Sequence, residues 1–348
     1  MHILLISNMG PKPSAPVQGQ FIEHQRQALS EPTDYHFMRW HQDTLLNRWF
    51  KYPVWALSFF WRHLCRRKPY HLLHVHFYYP TIWLAILYKL LRNPKTAIVV
   101  TCHGSDIYHY QPPGWGYRWC ARWVDHWVFT SPALQQRFFQ PVSSASVLSA
   151  GIAAEFTDVE PMALADKRID VLFVGSLDRN KGLDRLGMLL PHLAERQVVV
   201  IGQGAMQPQV EMWSTQYPNL RWLPSQSQTE LIGWYQQSKV FLSLSRQESF
   251  GLVMTEALAC STPVVATETD GSMAQLQTDY GLLISQNAQE DVLIEQLLQA
   301  MQYIWQLPEP QYQSMQQQGR YYAKGQLLPV IAEQLMARYQ QLQAGKEK

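Results

Sequence analysis

Charge is scarce in this chain: Asp, Glu, Lys and Arg make up only 16% of 348 residues, and from Thr44 to Ser105 there is no acidic residue at all. With 47% of residues apolar, low charge excludes a disordered, solvated chain. At this length two cores are expected. Cysteine is scarce too. Cys65, Cys102, Cys120 and Cys260 lack metal-ligand spacing, which argues against a disulfide scaffold or zinc site and for reduced thiols in a cytoplasmic setting. No apolar run reaches the roughly 18 residues of a spanning helix, since Pro80 and Lys89 interrupt 77–91. The run 2–7 lacks the basic start and cleavage site of a signal peptide and reads as a first strand. A soluble or peripheral protein is expected.

The charges present are unevenly placed. Residues 1–155 hold 15 Lys and Arg against 7 Asp and Glu, while 156–348 hold 14 against 20. Nine of the cations fall within the acid-free stretch. Such a surface seeks anions, with nucleic acid, anionic lipid and an acidic acceptor all admissible.

The most patterned segment is 239–271. Val240–Leu244 is an apolar run of strand length, a polar turn follows, and beyond Gly251 the residues Leu252, Val253, Ala257 and Leu258 recur at helical spacing. Pro263 stops the helix and Val264–Ala266 opens another strand. This is a unit of a parallel sheet, where ligands sit at the carboxyl ends of strands. Glu248 lies at such an end. Glu256 follows about two helical turns later, so both carboxylates can reach one cleft. The amides of Phe250, Gly251 and Leu252 lie between them at the helix start, a setting that favours a diphosphate.

Further strands are expected at 3–7, 35–40, 72–77, 97–101 and 127–130, then at 171–174, 198–201 and 219–223. Helices are expected at 21–30, 80–91, 288–305 and 326–343, giving the alternation of a doubly wound sheet.

The block Glu248-Ser-Phe-Gly, Glu256-Ala, Thr-Pro-Val-Val-Ala and Gly271 resembles the E-x7-E signature of the family-4 retaining glycosyltransferases, which have the GT-B fold. That resemblance implies an α/β chain of two Rossmann-like doubly wound domains facing a central cleft. Residues 1–155 would form the acceptor-side domain, 156–169 a linker, 170–325 the nucleotide-sugar domain, and 326–348 a helix crossing back to the first domain. It implies retaining hexosyl transfer from a UDP- or GDP-sugar to an acceptor hydroxyl, with no metal and no cofactor beyond that donor. Its partners would be the nucleotide sugar and a glycan or lipid-linked acceptor, not nucleic acid.

The resemblance also implies roles. Glu248 would contact hydroxyls of the donor sugar and Glu256 the ribose, with Ser249, Phe250, Gly251 and Leu252 around the diphosphate. Gly19, after a loop with Pro11, Pro13 and Pro16, matches the family's loop over the diphosphate. His103, in Cys102-His103-Gly104-Ser105-Asp106, would lie over the donor sugar and its phosphate, with Asp106 holding the loop. Gly175 and Lys181 match the diphosphate-binding turn, but Ser176 stands where the family usually shows Arg, leaving Arg179 as the substitute cation. Ala150 and Ala153 also depart from the family's polar turn, so only Gly151 carries over. His103, Lys181 and Glu248 are thus the expected catalytic residues. Glu268 and Asp270 read as a cleft loop rather than a metal site, and His74 and His76 as structural or substrate-lining. A silent sugar-binding scaffold and a phosphorylase or epimerase of the same fold stay open as alternatives.

Residues 45–68 combine Trp49, Phe50, Trp55, Phe59, Phe60 and Trp61 with Arg48, Lys51, Arg62, Arg66, Arg67 and Lys68. Aromatic plus basic is the composition of an interfacial segment, so 45–68 is expected to dock on an anionic membrane surface, its helix starting near Pro53 and running to about Arg67, with Trp55, Phe59, Arg62, Arg66, Arg67 and Lys68 on the docking side. The alternative packs Trp55 and Phe59 inside the domain.

Overall fold

The computed structural model describes residues 1–11, 18–39, 44–66 and 69–347. Two compact units emerge, one of residues 1–151 with 328–348, the other of 152–327.

The first unit is built on a parallel sheet of β1 (Ile3–Ser7), β2 (Thr33–Phe37), β3 (Leu72–His76), β4 (Ala97–Cys102), β5 (His126–Phe129) and β6 (Ala145–Val147), in the order β2-β1-β3-β4-β5-β6. Because side chains alternate along a strand, Leu4, Ile6, Leu73, Val75, Ile98 and Val100 enter one core while Ile3, Leu5, Leu72 and Val99 enter the other. The helix Leu328–Glu347 closes the second of these cores. Its Ile331, Ala332, Leu335, Met336 and Tyr339 recur at helical spacing on the sheet, and the Tyr339 hydroxyl lies 2.6 Å from His74 Nδ1.

Two expectations for this unit need correction. The second strand runs Thr33–Phe37, followed by a Met38 N–H to Ser7 carbonyl bond at 3.2 Å, while Trp40, its expected end, lies outside the described residues. The basic aromatic helix runs Leu45–Phe59, with Pro53 inside it and Thr44 capping its start. A wider turn follows over Phe60–Leu64, in which the Cys65 N–H reaches back to the Phe60 carbonyl. Trp55, 6% exposed, and Phe59, fully buried, belong to the core and not to a docking face. Arg66 is drawn into an ion pair with Asp34 and a hydrogen bond to the Tyr70 hydroxyl, while Arg67 and Lys68 lie outside the described residues. The exposed face instead carries Trp49, Phe50, Leu57, Phe60 and Trp61.

The second unit repeats the architecture with β7 (Ile169–Val174), β8 (Val198–Ile201), β9 (Leu220–Leu223), β10 (Ser238–Ser243), β11 (Val264–Thr267) and β12 (Gly281–Ile284), ordered β12-β11-β10-β7-β8-β9 and all parallel. Val171, Phe173, Val198, Val200, Val240 and Leu242 face one core, and Leu172, Val199, Ile201, Phe241, Val264 and Ala266 the other. Residues 156–169 are part of this unit and not a free linker. Phe156 is buried, and Lys167 is held by the carbonyls of Gln236 (2.9 Å), Ser238 (2.9 Å) and Ser261 (3.2 Å) and by Thr262 Oγ1 (3.3 Å). The short edge strands β6 and β12 and the Gln-rich helix Glu309–Lys324 complete the two units without having been expected.

In both sheets the chain builds outward on one side and then resumes on the other. The reversal falls between β1 and β3 in the first unit and between β7 and β10 in the second. Such a switch point opens a crevice at the carboxyl ends of the two strands.

Candidate active site

In the second unit the turn after β7 supplies Lys181 and the turn after β10 supplies Glu248, one from each side of the switch point. The Lys181 ammonium is ion-paired with Glu248 Oε2. A small recess beside them is lined by Phe173, Val174, Ser243, Ser245 and Val253 together with Lys181. Two backbone requirements shape this corner. Gly182 has φ +75°, and a Cβ there would lie 2.1 Å from the Leu244 carbonyl oxygen, so the chain can pass between Lys181 and the end of β10 only with glycine. Gly251, at φ +84°, turns the chain into the helix Leu252–Ala259, whose Met254 N–H donates to the Gly251 carbonyl at 3.1 Å while the amides before it lie ahead of the helix's own hydrogen-bond ladder. A Cβ on Gly175 would stand 4.0 Å from the Lys181 stem, which places Gly175 against the same lysine.

The loop between the strand end and that helix is tightly held. Gly271 N–H donates to the Glu248 carbonyl at 2.8 Å, and the buried Gln275 amide donates to the carbonyl of Phe250, with further bonds to those of Gly271 at 3.3 Å and Gly251 at 3.5 Å. Gln275 Oε1 in turn accepts from Thr255 Oγ1 at 2.5 Å. Glu256, half-buried on the helix, accepts from the Tyr235 hydroxyl at 3.0 Å. Burial pushes its carboxyl up to about 7, and the Tyr235 bond opposes that rise.

Arg179 does not join this cluster. Its side chain is 81% exposed and pairs with Asp184 at 3.4 Å, so it does not stand in for the arginine replaced by Ser176. Asp184 is shared with Arg246, whose two guanidinium nitrogens lie at 2.8 and 3.0 Å, and Arg246 and Arg185 both reach Glu290. This network braces the turns after β7 and β10. Tyr235, Gln275, Arg185 and Arg246 carried no motif in the sequence; each is defined by contacts between segments far apart in the chain.

In the first unit His103 follows β4, its Nε2 3.0 Å from His76 Nδ1 and its ring against Phe21 and Phe77, with centroids at 5.1 and 4.5 Å. Phe77 holds φ +62°, a conformation uncommon outside glycine, to place that ring. Asp106 accepts from the His103 N–H at 2.9 Å and the Tyr78 N–H at 2.8 Å, tying the ends of β3 and β4 together. Burial raises the Asp106 carboxyl to about 6 against the pull of these N–H groups. Burial also lowers His103 to about 3, so at neutral pH its ring is an uncharged hydrogen-bonding group. Gly19 caps the helix Gln20–Ala28, two residues ahead of Phe21, and lies against Gly10 and Met9. Pro13 and Pro16 of the preceding loop lie outside the described residues. His74 is sealed between Thr101 Oγ1 at 2.6 Å and Tyr339, a structural position. Among the described residues no three His, Cys, Asp or Glu side chains gather as a metal-binding group.

Comparison with known proteins matches both halves of the chain. Residues 21–155 match the family described as Glycosyltransferase Family 4, and 156–320 match Glycosyl transferases group 1. Among curated relatives, the D-inositol 3-phosphate glycosyltransferase of Xylanimonas cellulosilytica is 31% identical over 206 residues, covering 53% of this chain and 42% of that protein. The enzyme of that name from Arthrobacter sp. is 44% identical over 218 residues, 56% of this chain and 43% of its own. The matches thus span less than half the length of these relatives. Among solved structures, sucrose-phosphate synthase from Thermosynechococcus elongatus superposes with a TM-score of 0.76 at 19% identity, covering 99% of both chains. Anabaena HepE in complex with UDP gives 0.71 at 15% identity over 98% of this chain and 100% of that one. At such identities the superpositions speak for the fold. With the two family descriptions matched in order along the chain, and the E-x7-E helix seated where a doubly wound sheet binds its ligands, the chain belongs to the family-4 glycosyltransferases of GT-B fold.

Proposed function

We propose that this chain is a retaining, metal-independent glycosyltransferase that moves a sugar from a nucleoside diphosphate donor to an acceptor hydroxyl on a lipid-linked or cell-surface glycan precursor. The observation that carries the reading is the Lys181–Glu248 pair at the β7–β10 switch point, beside the start of the Leu252–Ala259 helix. The diphosphate takes the place of the Glu248 carboxylate at Lys181, and the first-turn amides share its charge. Glu248, released, accepts from hydroxyls of the donor sugar. Glu256, steadied by Tyr235, receives the ribose hydroxyls.

In the transfer, the bond from the anomeric carbon to the diphosphate oxygen breaks and the acceptor oxygen bonds to that carbon on the same face. The acceptor proton passes to the leaving diphosphate, so configuration is kept without a protein nucleophile. Lys181 and the helix amides stabilise the charge that grows on the leaving group. The exposed aromatic face of the Leu45–Phe59 helix supports work at a membrane surface, though no helix among the described residues is long and apolar enough to cross a membrane.

The test is incubation of the purified protein with a panel of UDP- and GDP-sugars and a lipid-linked acceptor, with and without EDTA. Release of nucleoside diphosphate, a product of retained anomeric configuration by NMR, and indifference to EDTA are expected. An inverted product or a strict metal requirement overturns the mechanism, and absence of both transfer and donor hydrolysis leaves the silent scaffold.

A further inference from the structure

A cavity of the first unit lies between the end of β2 and the Leu45–Phe59 helix, apart from His103. It measures about 210 Å³ and is lined by Arg39, Lys51, Arg62, Ser58, Trp55 and His36, with no acidic side chain among the described residues. Lys51, Trp55, Ser58 and Arg62 share one face at helical spacing, and Arg39 approaches from the strand end. Sites for drug-sized ligands enclose about 300–1,000 Å³, so this cavity suits a compact charged headgroup rather than a whole glycan.

We propose that this cavity binds a phosphate-bearing anion, either a soluble phosphomonoester or the phosphate of a lipid headgroup. Three cations from two elements converge without a counter-charge among the described residues. Among the described residues Arg39, Lys51 and Arg62 make no ion pair; the Arg39 guanidinium rests 4.9 Å from the Phe37 ring and the Lys51 ammonium 5.4 Å from the Tyr52 ring. Arg66 nearby, by contrast, is paired with Asp34. Trp55 adds an independent sign: it is 6% exposed, it lines the cavity, and its indole Nε1 is buried without a hydrogen-bond partner among the described residues, a donor left over in a site that otherwise wants an acceptor.

His36 forms the other wall. Its ring is stacked at 5.8 Å on Trp55 and its Nδ1 lies 3.1 Å from His63 Nε2. Burial, then the charges of Arg62 and Arg39, hold it down to about 4, so it stays neutral and leaves the charge of the cavity to the three cations. A carboxylate would satisfy one arginine, whereas a phosphate dianion offers the oxygens and charge for two guanidinium forks and an ammonium. On the transferase reading the cavity holds the charged end of the acceptor, but anion binding here stands or falls without that reading.

The test is calorimetric titration of the full chain with glycerol 3-phosphate, in saturating UDP so that phosphate bound at Lys181 is not counted, with glycerol as the uncharged control. Binding of glycerol 3-phosphate alone is expected. Arg39→Ala and Arg62→Ala, both at exposed positions where folding is not at stake, each weaken it by at least about tenfold, as loss of a charge-assisted bond requires. Lys51→Ala, on the helix face it shares with Arg62, gives the same direction. Retention of wild-type affinity in all three, or no binding of the phosphomonoester by wild type, overturns the proposal. Sedimentation with phosphatidic acid vesicles identifies the source: loss of vesicle binding in the Arg39 and Arg62 variants makes it a lipid headgroup, whereas phosphomonoester binding without vesicle binding makes it a soluble ligand. Vesicle binding that survives both substitutions, with no binding of glycerol 3-phosphate, refutes the cavity site and leaves only the helix surface. Donor hydrolysis is scored separately, so failure of the transferase reading does not pass for failure of the cavity.

Discussion

Lys181 and Glu248 lie 67 residues apart in the chain and meet as an ion pair across the reversal of the second sheet. On the proposed function the pair makes Glu248 a competitor of the diphosphate for the same ammonium. Glu248→Gln should therefore lower turnover yet tighten binding of the free nucleoside diphosphate about fivefold, the worth of a partly exposed pair at about 1 kcal/mol. Lys181→Ala should cut turnover 100-fold or more, about 2.7–4 kcal/mol of transition-state stabilisation. Steady-state kinetics and calorimetry on the two variants check both. Weaker diphosphate binding in Glu248→Gln would place that carboxylate on the ligand and not against it.

Glu256 provides a pH signature. Its carboxyl is raised above the ordinary carboxylate range to about 7, so the native state keeps a proton that the unfolded chain gives up. Stability from this group is therefore full at low pH and falls as pH rises from about 4.5 to about 7. Nucleotide affinity should move the other way, because the ionised carboxylate is the better acceptor for ribose hydroxyls. Affinity measured from pH 5.5 to 8.5 should climb through about 7; the climb should vanish in Glu256→Gln and shift to higher pH in Tyr235→Phe, which removes the bond that lowers the carboxyl.

Lys167 anchors the segment that opens the second unit to four oxygens of the β10 and β11 region. Lys167→Met strips those oxygens of a shared donor and should cost about 2–4 kcal/mol. Scanning calorimetry should then show the transition lowered by roughly 5–15 °C, and a shift below 2 °C would show that water replaces the ammonium.

The Leu45–Phe59 segment should answer to mutation in two ways. Trp55→Ala empties a core position and should destabilise the protein by about 3–5 kcal/mol. Trp49→Ser with Trp61→Ser touches residues 81% and 66% exposed; it should leave stability unchanged but reduce flotation with anionic vesicles. Wild-type flotation should also fall in high salt. Wild type that ignores anionic vesicles at low salt would make this face an ordinary solvated surface.

Most strands could be read from the chain because buried parallel strands are short apolar runs, as in β1, β4 and β8, and the E-x7-E block marked its own helix. Composition did not reveal which way a helix faces. Trp55 and Phe59 share aromatic chemistry with Trp49 and Trp61, and only the packing against the sheet separates core from surface. Arg179 is another such case: the sequence offers a cation near the missing arginine, but Asp184 claims it. Glu256 could be found by its motif, whereas its partner Tyr235, 21 residues earlier, could not, because nothing local announces a contact between two helices.

The hold of Gln275 on the carbonyls of Phe250, Gly251 and Gly271 means that the loop between β10 and the Leu252–Ala259 helix is ordered before any ligand arrives. A ligand entering there has little backbone entropy to quench and no segment to wait for. Association on this unit should then proceed in one phase at a rate nearly common to different nucleotides, and discrimination among donors should appear in how long each one stays.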